Sequence, residues 1–543
     1  MSRYLPLFPI LLLLFVPLLM LAIRLARPRF VYFWLVAALG ALLAWPMVLF
    51  TRTYIPHSLL LVTEPLGRTP LPAEFFPMSP ALLVDPISWS YAMALVTLAL
   101  AVILTDVARA ADADWMAWAG SLAITALGLF AVLSGNLLTL LLAWTAIDLA
   151  ELAILLIEVP QSSTREQIIL AFSARLAGSV LAVIGVVIGV GLAAISTPSP
   201  SLTFTTISPQ IRVYLLLAAG LRLGVLPMHT PFLGGRELRR EPQSSELRRG
   251  LGTVLCMVPA ASSLILLARI ASAGAPARWG PLLLGLAGLA ALYAGVYWAS
   301  ARDELDGRRF WILGMAALSL AAAARAQMEA SLALGIALLL SGGLLFLFSA
   351  RHRWLLPIAG LGLLGFSGLP YTPAWQAIRL YAPPFGVWEF LFLIAQALFL
   401  VGYARHVLRP EPQLTGVERW VWVIYPWGLI LLPLTGFLIA WWGRLSGAQF
   451  PTLASSWPSL VAMGIALILV VLAQRIPRLP VRLVSSLHSV FSFSWLYQLF
   501  WGVYRLVGRF LALINLILEG EGGILWTILL LTLLLSLLGQ FSQ

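Results

Sequence analysis

The sequence predicts an all-α polytopic membrane protein with about 14–16 spanning helices, on three observations. Hydrophobic residues fill 61% of the 543 positions and charged ones only 10%, too little polar surface to cover a water-soluble chain of this size. Apolar stretches long enough to cross a hydrocarbon core about 30 Å thick recur from Leu5 to Leu538. The basic residues gather in alternate connections between those stretches, as the positive-inside rule requires.

In chain order the spans are expected at 5–24, 30–50, 80–105, 115–134, 137–158, 167–195, 211–231, 249–270, 280–300, 309–325, 328–350, 354–370, 385–404, 418–443, 456–474 and 522–540. The stretch from Leu5 to Ile23 exceeds a signal-peptide core and has no small-residue cleavage site before Arg24, so it reads as the first span. One set of loops holds Arg24, Arg27 and Arg29, Arg109, Arg165, the run from Arg236 to Arg249, Arg302, Arg308 and Arg309, Arg351 and Arg353, Arg405 to Arg419, and Arg475 to Arg482. The opposite set carries only scattered charges in Pro/Ser/Thr-rich segments, which places the N-terminus away from the cytoplasm of a prokaryotic plasma membrane. Residues 480–518, with Arg482, His488, Arg505 and Arg509 among Leu, Phe, Trp and Tyr, read either as an amphipathic segment on the membrane surface or as a tilted span over 493–513. The expected organisation is two N-terminal spans and a loop (1–79), a transmembrane core (80–410), further spans (411–479) and an amphipathic segment with a last span (480–543).

The net charge of +12 is loop-borne and reports topology, so the lipid bilayer and not nucleic acid is the expected surroundings. All 34 basic residues besides histidine are arginine. Lysine can shed its proton when buried and arginine effectively cannot. The single cysteine, Cys256, excludes an internal disulfide. No Walker loop, metal-ligand spacing or haem attachment sequence is present, and the glycines at 360–365 lie in an apolar span without a preceding strand, which suits helix packing. No cofactor is expected.

Ionisable groups inside predicted spans are costly in hydrocarbon and mark candidate sites. Asp148 and Glu151 stand three residues apart on the fifth span, so they share a helix face at roughly 4.5 Å along the axis. Arg175 in the sixth span and Arg222 in the seventh are the candidate cations, and His229 follows Arg222 by seven residues, on nearly the same helical face. These residues form either an ion path or a set of static ion pairs that fixes helix packing. His229 itself is a candidate relay or a histidine at a helix end, and Pro231 beyond it suits a broken helix.

Six motifs in order, between about residues 80 and 380, resemble the antiporter-like membrane subunits of respiratory complex I and of multisubunit cation/proton antiporters. They are Asp-Pro-Ile-Ser at 85–88, Asn-Leu-Leu-Thr-Leu-Leu-Leu-Ala-Trp at 136–144, Ala-Phe-Ser-Ala-Arg at 171–175, the stretch from Gly220 to His229, Pro-Gln-Ser-Ser-Glu-Leu at 242–247 and Gly-Leu-Pro-Tyr-Thr-Pro-Ala-Trp at 368–375. The resemblance implies discontinuous seventh and twelfth helices, charged residues along the membrane midplane, and proton or cation movement beside other membrane subunits of a complex I-like (NADH:quinone oxidoreductase-like) or antiporter assembly.

This chain departs from that pattern at the charged positions. Thr145 stands where the family carries a glutamate after the tryptophan, Arg222 replaces the seventh-span lysine, and Arg249 falls where the eighth-span histidine is expected. The stretch from Leu332 to Phe348, assigned the twelfth-span lysine or histidine, has no ionisable residue. Three functions stay open: a translocating subunit or a degenerate scaffold derived from one, a purely structural membrane subunit, and an integral-membrane transferase on a lipid-linked substrate with Glu64, Glu74 or Asp85 as its acid.

Overall fold

The computed structural model describes residues 4–60, 80–109, 115–159, 162–196, 209–231, 249–349, 352–409, 418–442, 456–475, 494–519 and 527–532. The chain divides into two compact units, Met1–Val484 and Ser485–Gln543. The first is a helical bundle with one short strand pair; its helices are α1 (Leu7–Ala26), α2 (Phe33–Thr51), α3 (Pro86–Asp106), α4 (Trp115–Val132), α5 (Leu137–Glu158), α6 (Ser162–Ser196), α7 (Pro209–Arg222), α8 (Gly250–Ile270), α9 (Gly280–Ser300), α10 (Glu304–Ala324), α11 (Met328–Leu347), α12 (Leu356–Ser367), α13 (Val387–Val407), α14 (Val421–Trp442) and α15 (Trp457–Arg475). Among the described residues, 11 helices are long and apolar enough to cross a membrane. The other four are α7 and α12, which are broken, α10, which carries charges in its first turns, and α15, whose apolar part is shorter.

Several of the boundaries have local causes. Asp85 caps α3 in a reciprocal box, its Oδ1 accepting from Ser88 N at 2.7 Å while Ser88 Oγ accepts from Asp85 N at 2.8 Å, with Pro86 at the first helical position. Asn136 caps α5 through Thr139 N at 2.9 Å. Two of the motifs behind the family resemblance are therefore helix starts. Asp303 accepts from Asp306 N at 2.6 Å and starts α10 five residues earlier than expected, so Arg308 is buried in the helix and not in a loop. The expected third span also began too early: Ala81–Val84 instead forms a strand antiparallel to His57–Leu60, with His57 opposite Val84.

α8 is the hub of the bundle. All its residues are buried, and it packs against α3, α4, α5, α7, α10 and α11. A helix this largely apolar on every side is expected at the centre of a bundle, and its few polar residues are buried with the rest. By contrast α1, α2, α5, α6 and α14 each leave one apolar face outward.

Two helices break inside the bundle. α7 ends at Arg222, and the chain turns through Gly224, whose φ is +81° and whose missing Cβ would lie 2.5 Å from Pro231 Cδ. His229 N then donates to Gly224 O at 2.7 Å. α12 ends at Gly368, with φ +72°, before a short 3-10 turn over Trp375–Tyr381. The broken seventh helix expected from Pro231 and the resemblance is present, but the glycine-specific turn ends its helical part at Arg222, short of the 211–231 span. The stretch 332–348 forms most of α11, and the twelfth helix is the broken one that follows it.

In the second unit, α16 (Ser494–Glu519) is one helix with Leu499, Val503, Leu506, Phe510 and Leu513 along one face and Arg505 and Arg509 one turn apart on another. Residues 527–532 are helical. Arg482, His488 and the rest of the expected last span lie outside the described residues.

Gly224→Ala should lower the thermal unfolding midpoint of the detergent-solubilised protein, with about 1–3 kcal/mol of strain at a left-handed position. An unchanged midpoint would show that the turn does not need glycine.

Candidate functional site

The four midplane charges expected from the sequence converge. Asp148 sits near the middle of the 22-residue α5 with Glu151 one turn on, and both face α6 and α7. Asp148 is 2% exposed, Glu151 5%, Arg175 2% and Arg222 1%, so all four sit in a low-dielectric interior where an uncompensated charge is prohibitive. Close approach of α6 and α7 permits the arrangement: a Cβ on Gly178 would lie 2.5 Å from Arg222 Cγ and 2.9 Å from Ala218 O.

Arg222 forks onto Asp148, with Nη1 to Oδ2 at 2.6 Å and Nη2 to Oδ1 at 3.1 Å. Its remaining donors reach Ser179 Oγ at 2.8 Å, the Arg175 carbonyl at 3.2 Å and Ser263 Oγ at 3.3 Å. The guanidinium carbon lies 4.3 Å from the centroid of the Trp144 ring, in cation–π range. Trp144 is itself held by Nε1 donating to Ser262 O at 3.0 Å. Arg175 pairs with Glu151 at 2.6 Å, and its Nε lies 3.4 Å from Asp148 Oδ1. Two guanidinium and two carboxylate groups thus form one neutral quartet. Bidentate geometry of this kind is specific to arginine.

The other expected residues lie elsewhere. His229 follows the α7 break, its Nδ1 2.7 Å from Pro227 O; the same-face argument from Arg222 fails because the helix does not continue between them. Arg249 is the N-cap of α8 and pairs with Glu304 at 3.0 Å, so it joins a pair at the end of the bundle and not the midplane. Thr145 is exposed, with Oγ1 donating to Leu141 O at 2.9 Å. A carboxylate there would face away from α6 and α7, so a cluster with Arg175 and Arg222 needs the acids at 148 and 151. Asp85 pairs with Arg269 at 3.0 Å beside its capping role, while Glu64 and Glu74 lie outside the described residues. Sequence reasoning missed Ser179, Ser263 and Trp144 as partners of Arg222; a small polar residue four positions after Arg175 was the available signal for Ser179.

At the second break the chain around Ser367 and Gly368 has neutral partners, while Arg379 of the 3-10 turn pairs with Glu329 of α11 at 2.9 Å. Gln396 Nε2 donates to Ser367 O at 3.1 Å, Tyr381 OH donates to Gln396 Oε1 at 2.6 Å, and Ser459 Oγ donates to Gly368 O at 2.9 Å.

With this geometry, comparison with solved structures is informative. The chain is similar over 97% of its length to 99% of a chain of the membrane-bound sulfane sulfur reductase, an archaeal respiratory membrane complex, at 14% identity and a TM-score of 0.65. It is similar over 99% of its length to 63% of a chain of the Mrp complex from Dietzia sp. DQ12-45-1b, at 14% identity and a TM-score of 0.64. A chain of respiratory complex I from Thermus thermophilus matches 86% of it at 17% identity and a TM-score of 0.58, with 99% of that chain covered. The fold is antiporter-like. At these identities the likeness is one of fold. No family profile and no curated protein matches the sequence. Within the antiporter-like fold, the breaks in α7 and α12 are the ones the motifs led us to expect.

Asp148→Asn leaves Arg222 buried without its counter-charge and should destabilise the protein by about 3–5 kcal/mol. Adding Arg222→Gln should recover part of that loss, which thermal unfolding of the two variants and their double would measure.

Proposed function

We propose that the chain is a membrane subunit of a multisubunit respiratory or Mrp-type assembly in a prokaryotic plasma membrane. In it the midplane quartet serves as a fixed electrostatic element that replaces a lysine-based proton relay. The observation that carries this reading is the bidentate Arg222–Asp148 pair. A relay needs its central cation to give up a proton to a neighbour, and an arginine side chain keeps its proton near neutral pH. Arg175 holds Glu151 in the same way. At the α12 break Ser367 and Gly368 are held by neutral side chains, and Arg379 of the 3-10 turn is paired with Glu329 of α11 at 2.9 Å. A chain with this fold and a locked midplane supports an assembly through packing and charge placement.

Affinity purification of the tagged full chain from native membranes should recover other integral-membrane subunits, and Asp148→Asn should reduce that recovery. In proteoliposomes, Glu151→Gln should leave proton flux unchanged. A fall in flux with the assembly intact would overturn the fixed-charge reading in favour of transport through Glu151. Arg222→Lys should introduce a pH-dependent stability step that the native protein lacks, measurable as unfolding midpoint against pH.

A further inference from the structure

The midplane quartet is connected to one end of the bundle along a single helix. α8 is buried on every side, yet it carries Arg249, Thr253, Cys256 and Ser263. Their spacings of four, three and seven residues place them on one face. From Arg249 to Ser263 that face runs about 21 Å, from the bundle end to the midplane.

Three of the four positions make a described hydrogen bond. At the midplane, Ser263 Oγ accepts from Arg222 Nε at 3.3 Å. Cys256, buried, lies between the two groups on the same face. Arg308, 1% exposed, donates through Nη1 to Thr253 Oγ1 at 3.2 Å. The Thr253 hydroxyl donates onward to the Arg249 carbonyl. At the end, Arg249 spans Glu304 of α10 at 3.0 Å and the Phe346 carbonyl of α11 at 3.1 Å. Asp106 of α3 packs against the same turn, with both carboxylate oxygens 2.6 Å from where a Cβ on Gly250 would lie. Packing on all sides excludes solvent screening, so charges spaced along this face act on one another more strongly than they would in water.

We infer that α8 is a charge strut: its polar face joins the midplane quartet to the Arg249–Glu304 pair, so that opening the end pair loosens the quartet. The inference does not depend on whether the subunit conducts ions. It makes the bundle end formed by α8, α10 and α11 a control point for the membrane interior, through a helix packed on all sides and held by discrete partners at Arg249, Thr253 and Ser263. The other end of α8 supplies an internal control, because Arg269 pairs there with Asp85 of α3 and lies outside the linked series.

Cys256 is the only cysteine in the chain and lies at the junction of the two groups, so its labelling by N-ethylmaleimide reports local opening there in the intact, membrane-embedded protein. Glu304→Gln at the end and Glu151→Gln at the midplane should each accelerate labelling about tenfold, as local opening replaces tight packing. The double variant should fall well short of the product of the two effects, as expected for sites within one network. Asp85→Asn should leave the rate unchanged. Thr253→Val, which removes the link, should make the Glu304 and Glu151 effects multiply independently. If Glu304→Gln does not fold, Arg249→Lys takes its place, since it keeps the charge and removes the two-partner geometry. A labelling rate unaffected by the end variants, or a double variant equal to the product of the singles in the native background, would overturn the strut.

Discussion

The structure depends on the constraint that charge inside hydrocarbon must be matched where it stands. Asp148, Glu151, Arg175 and Arg222 could each be tolerated only in the company of the others, and that requirement fixes how α5, α6 and α7 meet. Gly178 lets the Arg222 stem approach α6, Trp144 offers its ring face, and Ser179 and Ser263 take the remaining donors. The small and aromatic residues around the quartet are therefore consequences of it. The α7 break belongs to the same logic, since the helix ends at the residue whose side chain makes the central pair.

Much of this was legible in the chain because membranes impose simple rules. Span length, loop arginines and intramembrane charges locate the helices and bring Asp148, Glu151, Arg175 and Arg222 together with no information beyond helix period and dielectric cost. The errors came where local chemistry overrides hydropathy. Asp303 begins α10 upstream of its apolar run and draws Arg308 inside, and a short strand occupies the residues before Asp85. His229 looked like a helical neighbour of Arg222 because period alone cannot show that Gly224 turns the backbone. Arg249 looked like a span residue, yet it caps one. Ser263 carried no sequence signal, since a serine in an apolar helix is ordinary; only the neighbouring α7 gives it a partner in Arg222.

Arginine for lysine at Arg222 also changes shape. An ammonium is a compact point charge that can serve several acceptors in turn, whereas the planar guanidinium presents fixed directions, and here all three of its nitrogens have partners. Reorganising this site requires several hydrogen bonds to break together, so rigidity follows from geometry as well as from proton affinity. A site this rigid holds its charges in one arrangement.

The two broken helices are unequal electrically. The quartet beside α7 sums to zero charge, and the α12 break is held by an amide, a phenol and a hydroxyl. Moving one elementary charge across the membrane field involves about 2.3 kcal/mol per 100 mV. The side chains that hold Ser367 and Gly368 carry no charge for the potential to act on, and Arg379 of the following 3-10 turn is matched by Glu329 of α11 at 2.9 Å. A bend at that hinge that keeps the pair together carries no net charge from these groups through the field.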